Sequence, residues 1–135
     1  MKSIAEKLGT LLPSLLERGE VYLLALFERD DTPGKWDVVF SSTWSDQEPT
    51  PAVRFISEKL VPLLSPKELS ALSRVVVIPS DQPAVRAMSS AINVEGGCAD
   101  LIDCNFMGLQ IKHAYVVRCK RPPVSKADVT AEIVE

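Results

Sequence analysis

Residues 20–28 read EVYLLALFE, a run rich in strand-forming side chains. Its apolar residues follow one another without a break, so in an extended strand they point to both faces of a sheet. A strand with two apolar faces is typical of the interior of a sheet that is covered on both sides. The stretch therefore predicts an interior strand, for which the rest of the chain has to supply neighbouring strands and covering layers.

A second strand is predicted directly after the first. After a turn rich in aspartate, proline and glycine, residues 35–42, KWDVVFSS, return along the first strand. Alternation places Trp36, Val38 and Phe40 on one apolar face. Asp37 falls on the opposite, polar face.

Helices are predicted before and after this hairpin in the sequence. A capping box that begins at Ser3 opens an N-terminal helix, and Pro13 interrupts its apolar spacing, which predicts a kink or two short helices. A polar loop that contains Trp44 leads to Thr50, which caps a further helix. A second capping box, at Ser65, opens one more helix.

Residues 74–79, RVVVIP, form a short continuous apolar run that is typical of a buried parallel strand. A further helix and two strands, at about 98–106 and 109–119, complete the order α-β-β-α-α-β-α-β-β. We therefore expect an α+β fold, with residues 1–119 as a single domain in which helices pack on a mixed five-stranded sheet. Residues 120–135 are predicted to be a flexible or partner-docked tail.

Composition narrows the class of protein. The chain has 135 residues, of which 46% are hydrophobic and 24% charged, as in one globular domain. Its net charge of −3 argues against a nucleic-acid partner. No apolar run reaches the ~18–20 residues that span a bilayer. Three cysteines without metal-binding or disulfide spacing predict free thiols in the cytoplasm, and no cofactor motif is present.

The last two predicted strands contain residues 103–115, DCNFMGLQIKHAY. With Met107 and Gly108 as a two-residue turn, Phe106 lies opposite Leu109, and opposed residues share a face. One face of the hairpin is mostly apolar, so we expect it to pack on the core and to bury His113 as a neutral ring. The pairing assigns Ile102, Cys104, Phe106, Leu109, Ile111, His113 and Tyr115 to the core face, and Asp103, Asn105, Gln110 and Lys112 to the polar face.

The polar face permits two interpretations. Asp103, Gln110 and Lys112 have the spacing of the PD-(D/E)xK nucleases, and this resemblance implies a metal-dependent enzyme in which the lysine positions the attacking water. Asp37 could add a ligand if the two hairpins adjoin. Glutamine in place of glutamate, however, leaves one carboxylate on the hairpin, which suits a hard cation poorly. An Asp103–Lys112 cross-strand pair explains the same residues, so we assign neither a catalytic residue nor a metal.

The cysteines allow a similar choice. Cys98 and Cys119 both fall on the predicted core face, near each other across the strand pair. Buried thiols behave first as small hydrophobic side chains, and a redox pair is the alternative. A nucleophilic cysteine would need an exposed, electropositive setting, which the core face does not offer.

Two stretches, PGKWDVVFSSTW and CNFMGLQIKHAY, resemble segments of small uncharacterised bacterial proteins of similar length. The resemblance covers most of residues 20–119 and implies one evolutionary unit, but it transfers no activity. The sequence favours a non-catalytic protein–protein interaction or regulatory domain that could self-associate or bind another protein. Trp44 and the tail are its candidate contact points, and the nuclease-like enzyme is the alternative.

Overall fold

The computed structural model describes residues 2–122 and confirms the α+β fold with a mixed five-stranded sheet. Residues 123–135, most of the predicted tail, lie outside the described part of the chain. In order, the elements are α1 (Lys2–Leu16), β1 (Val21–Arg29), β2 (Trp36–Ser42), α2 (Thr43–Gln47), α3 (Pro49–Leu63), α4 (Pro66–Ala71), β3 (Leu72–Val77), α5 (Pro83–Ala91), β4 (Ala99–Phe106) and β5 (Leu109–Cys119).

The strand order in the sheet is β3-β2-β1-β5-β4. β1 is central and antiparallel to both β2 and β5, while β4 is antiparallel to β5 and β3 is parallel to β2. The central position explains the apolar sequence of β1, because residues 21–27 are all buried. β3 is parallel, as predicted, but the prediction that it is a buried strand is wrong. It lies at the edge of the sheet, and its side chains are partly buried or exposed.

Two apolar clusters, one on each face of the sheet, form the core. On the first face, α1 contributes Leu8, α3 contributes Ile56 and β2 contributes Phe40, and side chains of α2 and α4 pack around them. On the second face, α5 contributes Val85, which packs against residues of β1, β2 and β5 such as Phe27. In the described part of the chain, four helices thus lie on the first face and α5 on the second.

The N-terminal half departs from the predicted helices in three places. Thr50, predicted as a cap, lies inside α3, whose N-cap is Glu48. α1 continues through Pro13 as one helix, and Ser3 lies inside it, where its hydroxyl donates a hydrogen bond to Glu68 instead of capping the helix. The predicted polar loop contains the one-turn helix α2. Ser42 caps α2, because its hydroxyl accepts a hydrogen bond from the backbone N–H of Ser45. In return, the Ser45 hydroxyl accepts a hydrogen bond from the backbone N–H of Ser42.

Glu68 joins α4 to α1. Its Oε1 accepts hydrogen bonds from Lys7 Nζ at 2.5 Å and from the backbone N–H of Ser65 at 2.9 Å, and its Oε2 accepts one from Ser3 Oγ at 2.8 Å. The bond to Ser65 completes the capping box that the sequence predicted. Together these bonds, that of Lys7 foremost, lower the pKa of Glu68 from 4.5 to about 2.

We expect this carboxylate to make folding stability depend on acid. Between pH 4.5 and about 2 the unfolded chain takes up a proton on Glu68 that the folded chain does not, so unfolding becomes easier as the pH falls through this window. The stabilisation is fully present above pH 4.5. Urea denaturation across this range should show a smaller pH dependence for Glu68→Gln than for the parent protein, and equal dependence would contradict the assignment.

Candidate functional site

The β4–β5 hairpin has the predicted register. Phe106 pairs with Leu109 and Cys104 with Ile111. Met107 has φ 55° and the glycine after it φ 79°, so both central residues of the two-residue turn are left-handed. That is the type I′ geometry that matches the twist of paired strands.

The predicted alternation of faces is wrong in this hairpin. Asp103 has φ 53°, and β5 is bulged at Lys112, where its pairing with β1 shifts. A bulge moves the following side chains to the other face. Ile102, expected in the core, is 71% exposed, and Ile111 and His113, expected together, face opposite sides of the sheet.

The three residues of the nuclease-like pattern do not form a cluster with Asp37. Asp103, Gln110 and Lys112 are exposed on the hairpin, and no ion pair within residues 2–122 joins Asp103 to Lys112. Asp37 lies on β2, with β1 and β5 between it and β4, a separation of ~14 Å at the usual strand spacing. Among the described residues, no group of three or more histidines, cysteines and carboxylates could hold a metal ion. The enzyme interpretation stays a prediction.

His113 lies on the first face, at the margin of the core. Its side chain is 25% exposed, so it is less buried than predicted. Its Nε2 is hydrogen-bonded to the Asp100 carboxylate, and its ring packs 4.4 Å from that of Tyr115 and 5.6 Å from that of Trp36. The His113 ring therefore belongs to an aromatic cluster in which Trp36 also stacks on Tyr115.

The cysteines differ in their surroundings, and the prediction that Cys98 lies in the core is wrong because it is exposed. Cys119 is buried, and burial raises the pKa of its thiol from 9.0 to about 11. Cys119 thus remains a protonated, hydrophobic side chain at neutral pH.

Trp44 lies on α2 and folds back onto the domain. Its ring meets that of Phe55 edge-on at 5.5 Å, and the Arg18 guanidinium lies 4.7 Å above it. Such a contact stabilises the ring by roughly 0.5–1 kcal/mol at an exposed site. Its role as an interface anchor stays a prediction.

The start of the predicted tail is attached to the sheet. The backbone N–H of Lys120 donates a hydrogen bond of 2.8 Å to the carbonyl of Tyr22, and its Nζ lies 3.7 Å from Glu20. Pro122 is buried. The remaining tail, residues 123–135, lies outside the described residues, and so does the prediction that it is flexible or docked to a partner.

The two edges of the sheet differ in character. β4 carries three exposed polar residues, Asp100, Asp103 and Asn105, and the left-handed backbone at Asp103 interrupts the regular strand. Charges and irregular backbone are the devices by which proteins keep an edge strand from pairing. β3 has three consecutive valines, residues 75–77, and Arg74 is the charged residue along its length. The β3 edge is therefore the less protected of the two.

Open apolar hollows flank β3 on both faces of the sheet. On the first face, a hollow of about 210 Å³ lies between α3, α4 and β3, beside Val61, which is 60% exposed. On the second face, a cleft of about 280 Å³ is bordered by Met107 and Leu109, which are 49% and 42% exposed. We call the outer side of β3, with Val61 and these two hollows, the β3 edge surface.

The cleft on the second face contains a buried carboxylate, and we call it the Asp37 cleft. Asp37, expected on a polar face, is only 5% exposed. Its Oδ2 lies 3.3 Å from Arg74 Nε and 3.5 Å from Arg29 Nε. The Arg29 Nε is buried and has no hydrogen-bond partner among residues 2–122, whereas the Arg74 side chain is 50% exposed.

Sequence reasoning missed this charge cluster. Arg29 ends β1 and Arg74 lies near the start of β3, and the strand order places both beside Asp37 on β2. The available signal was that β2 and β3 carry one charged residue each, Asp37 and Arg74, and that the apolar run of β1 ends in Glu28 and Arg29. A parallel β2–β3 pair would have brought Asp37 and Arg74 together, as their observed pairing does.

Comparisons with models of known protein families, with curated proteins and with solved structures find no match for this chain. Within residues 2–122, none of the helices combines the length and the apolar character needed to cross a membrane. The β3 edge surface and the Asp37 cleft are the features that bear on function.

Proposed function

We propose that the protein is a non-catalytic interaction or regulatory domain that self-associates, and that β3 of one copy pairs antiparallel with β3 of a second copy. The observation that carries the proposal is the apolar edge strand with an open apolar hollow on each side. A strand of this kind exposes a row of unpaired backbone N–H and C=O groups. Pairing satisfies them and removes the neighbouring apolar side chains from water.

A second copy is a suitable partner because β3 is complementary to itself. In an antiparallel pair centred on Val75, Val75 faces its counterpart and Arg74 faces Val76, so no like charges lie opposite one another. A two-fold axis through this point uses the same patch on both copies and closes the assembly as a dimer.

The flanking residues extend the contact beyond the strand. An axis perpendicular to the sheet keeps α3 of both copies on the same face, so Val61 approaches the hollow between α3, α4 and β3 of the second copy. This added area is needed, because stable interfaces usually bury about 1,200–2,000 Å² in total. The free thiols of the described cysteines suit the cytoplasm, where we place the protein.

Sedimentation velocity over a range of protein concentrations tests the proposal. Val61→Glu should weaken dimerisation by at least about tenfold, because it places two new charges in an apolar contact. Ile102→Glu is the matched control: Ile102 is 71% exposed but belongs to the β4 edge, so its dimer should be unchanged. Both positions are exposed, so both variants should fold.

Three outcomes would count against the β3 edge. The parent protein could remain a monomer at all concentrations, Val61→Glu could dimerise like the parent, or Ile102→Glu alone could dissociate the dimer. The last result would move the interface to β4.

A further inference from the structure

We propose that the Asp37 cleft binds a small zwitterion with an apolar body, namely an α-amino acid with an aliphatic side chain. Asp37 would receive its ammonium group, Arg29 and Arg74 its carboxylate, and the apolar wall its side chain. This inference goes beyond the proposed function and does not depend on self-association.

The polar end of the cleft has unused hydrogen-bonding capacity. Within residues 2–122, the side chains of Asp37, Arg29 and Arg74 contact one another as ion pairs but make no hydrogen bonds. A guanidinium carries five N–H donors, and a carboxylate accepts about four hydrogen bonds. A buried donor such as Arg29 Nε is costly to leave without an acceptor, so this end of the cleft suits a ligand that brings one.

The charges at this end select a ligand with both signs. A simple anion would meet the Asp37 carboxylate, and a simple cation would meet two guanidinium groups, so each would suffer repulsion from part of the site. Asp31, the second carboxylate near Arg29, lies 3.6 Å from its Nε but is exposed, so water screens it. A zwitterion offers each group its opposite.

The remaining wall is apolar and sets the size of the ligand. The cleft has a volume of about 280 Å³, enough for about nine water molecules, which corresponds to a molecule the size of leucine. Sites for drug-sized ligands are usually larger, at ~300–1,000 Å³. The wall comes from β1, β2, β3, β5 and the residue after β3: Phe27, Val39, Val76, Ile78 and Ile111.

Calorimetric titration of the full chain with three matched probes tests the inference. L-leucine carries both charges, 4-methylpentanoate lacks the ammonium and 3-methylbutylamine lacks the carboxylate. L-leucine should bind saturably, and each partial probe should bind at least about tenfold more weakly, because it leaves charged groups of the site unpaired. Equal binding of leucine and 4-methylpentanoate would show a simple anion site and overturn the inference.

Two substitutions assign the binding to the cleft. Arg74→Gln should weaken leucine binding by at least about tenfold, since it removes a charge-assisted contact. Arg54→Gln, the same substitution on the exposed side of α3, should leave binding unchanged. Arg74 is half-exposed, so its replacement should leave the fold intact, which thermal denaturation checks directly.

Methyl NMR locates the ligand independently. Leucine should shift the methyl signals of Ile78 and Ile111, which line the cleft, and leave that of Ile92, which lines a separate groove beside α5, unchanged. Absence of saturable binding in the millimolar range, or shifts at Ile92 alone, would refute the site. Repeating the titration on Val61→Glu separates the two proposals, because a monomer that still binds leucine would retain the cleft without the dimer.

Discussion

Replacing Phe40 with alanine should lower the free energy of unfolding by about 3–5 kcal/mol, as expected for a large aromatic side chain removed from a core. Phe40 is fully buried on β2, pairs with Leu24 of the central strand and belongs to the first-face cluster. Its neighbours are held by the sheet below and by α1 and α3 above, so they cannot close the cavity. Urea denaturation, extrapolated to water, measures the loss.

Ile102→Ala provides the contrast. Ile102 is also a large apolar residue in a strand, but it is 71% exposed, so its truncation should change stability by no more than about 0.5 kcal/mol. The comparison separates burial from residue type. A loss under about 1 kcal/mol for Phe40→Ala would mean that β2 is not packed as described.

Asp37→Ala should be the second most damaging change, at about 2–3 kcal/mol. Breaking a fully buried ion pair usually costs about 3–5 kcal/mol because the remaining charge lacks a partner. Here Arg74 is half-exposed and water can solvate it, which reduces the loss, but the Arg29 Nε stays buried. Removing Arg74 instead should cost about 1 kcal/mol or less, as is usual for exposed ion pairs.

A double-mutant cycle tests the cause. If the loss comes from a guanidinium left without its partner, the double variant Asp37→Ala, Arg29→Met should lose less free energy of unfolding than the sum of the losses of the two single variants. Methionine retains much of the apolar length of arginine, so packing is largely conserved. Strictly additive losses would show that Asp37 and Arg29 do not stabilise each other.

Local signals in the sequence determined much of the fold. The unbroken apolar run in β1 identified an interior strand, and Ser65 with Glu68 identified the start of α4. Residues 107–108 identified the turn of the last hairpin and thereby its register. Each of these features depends on residues that are close along the chain, so a short window contains the physical cause.

Elements that depend on distant contacts were predicted less well. α2 is a single turn, too short to be stable on its own, and exists where Ser42 caps it and Trp44 packs against Phe55 of α3. Ser3 has a capping box by spacing, but Glu68 supplies a competing partner 65 residues away. Which partner a side chain takes is a matter of tertiary proximity.

The tertiary structure alone decided which strands form edges and which charges meet. The apolar composition of β3 is the same whether it is central or peripheral, and only the strand order places it at the edge beside open hollows. A left-handed Asp103 and a bulge at Lys112 changed the faces that simple alternation had assigned. Arg29 and Arg74 lie 45 positions apart in the sequence numbering and meet at Asp37 because β1, β2 and β3 are neighbours in the sheet. No local pattern contains that information, since it arises from the order in which the strands pair.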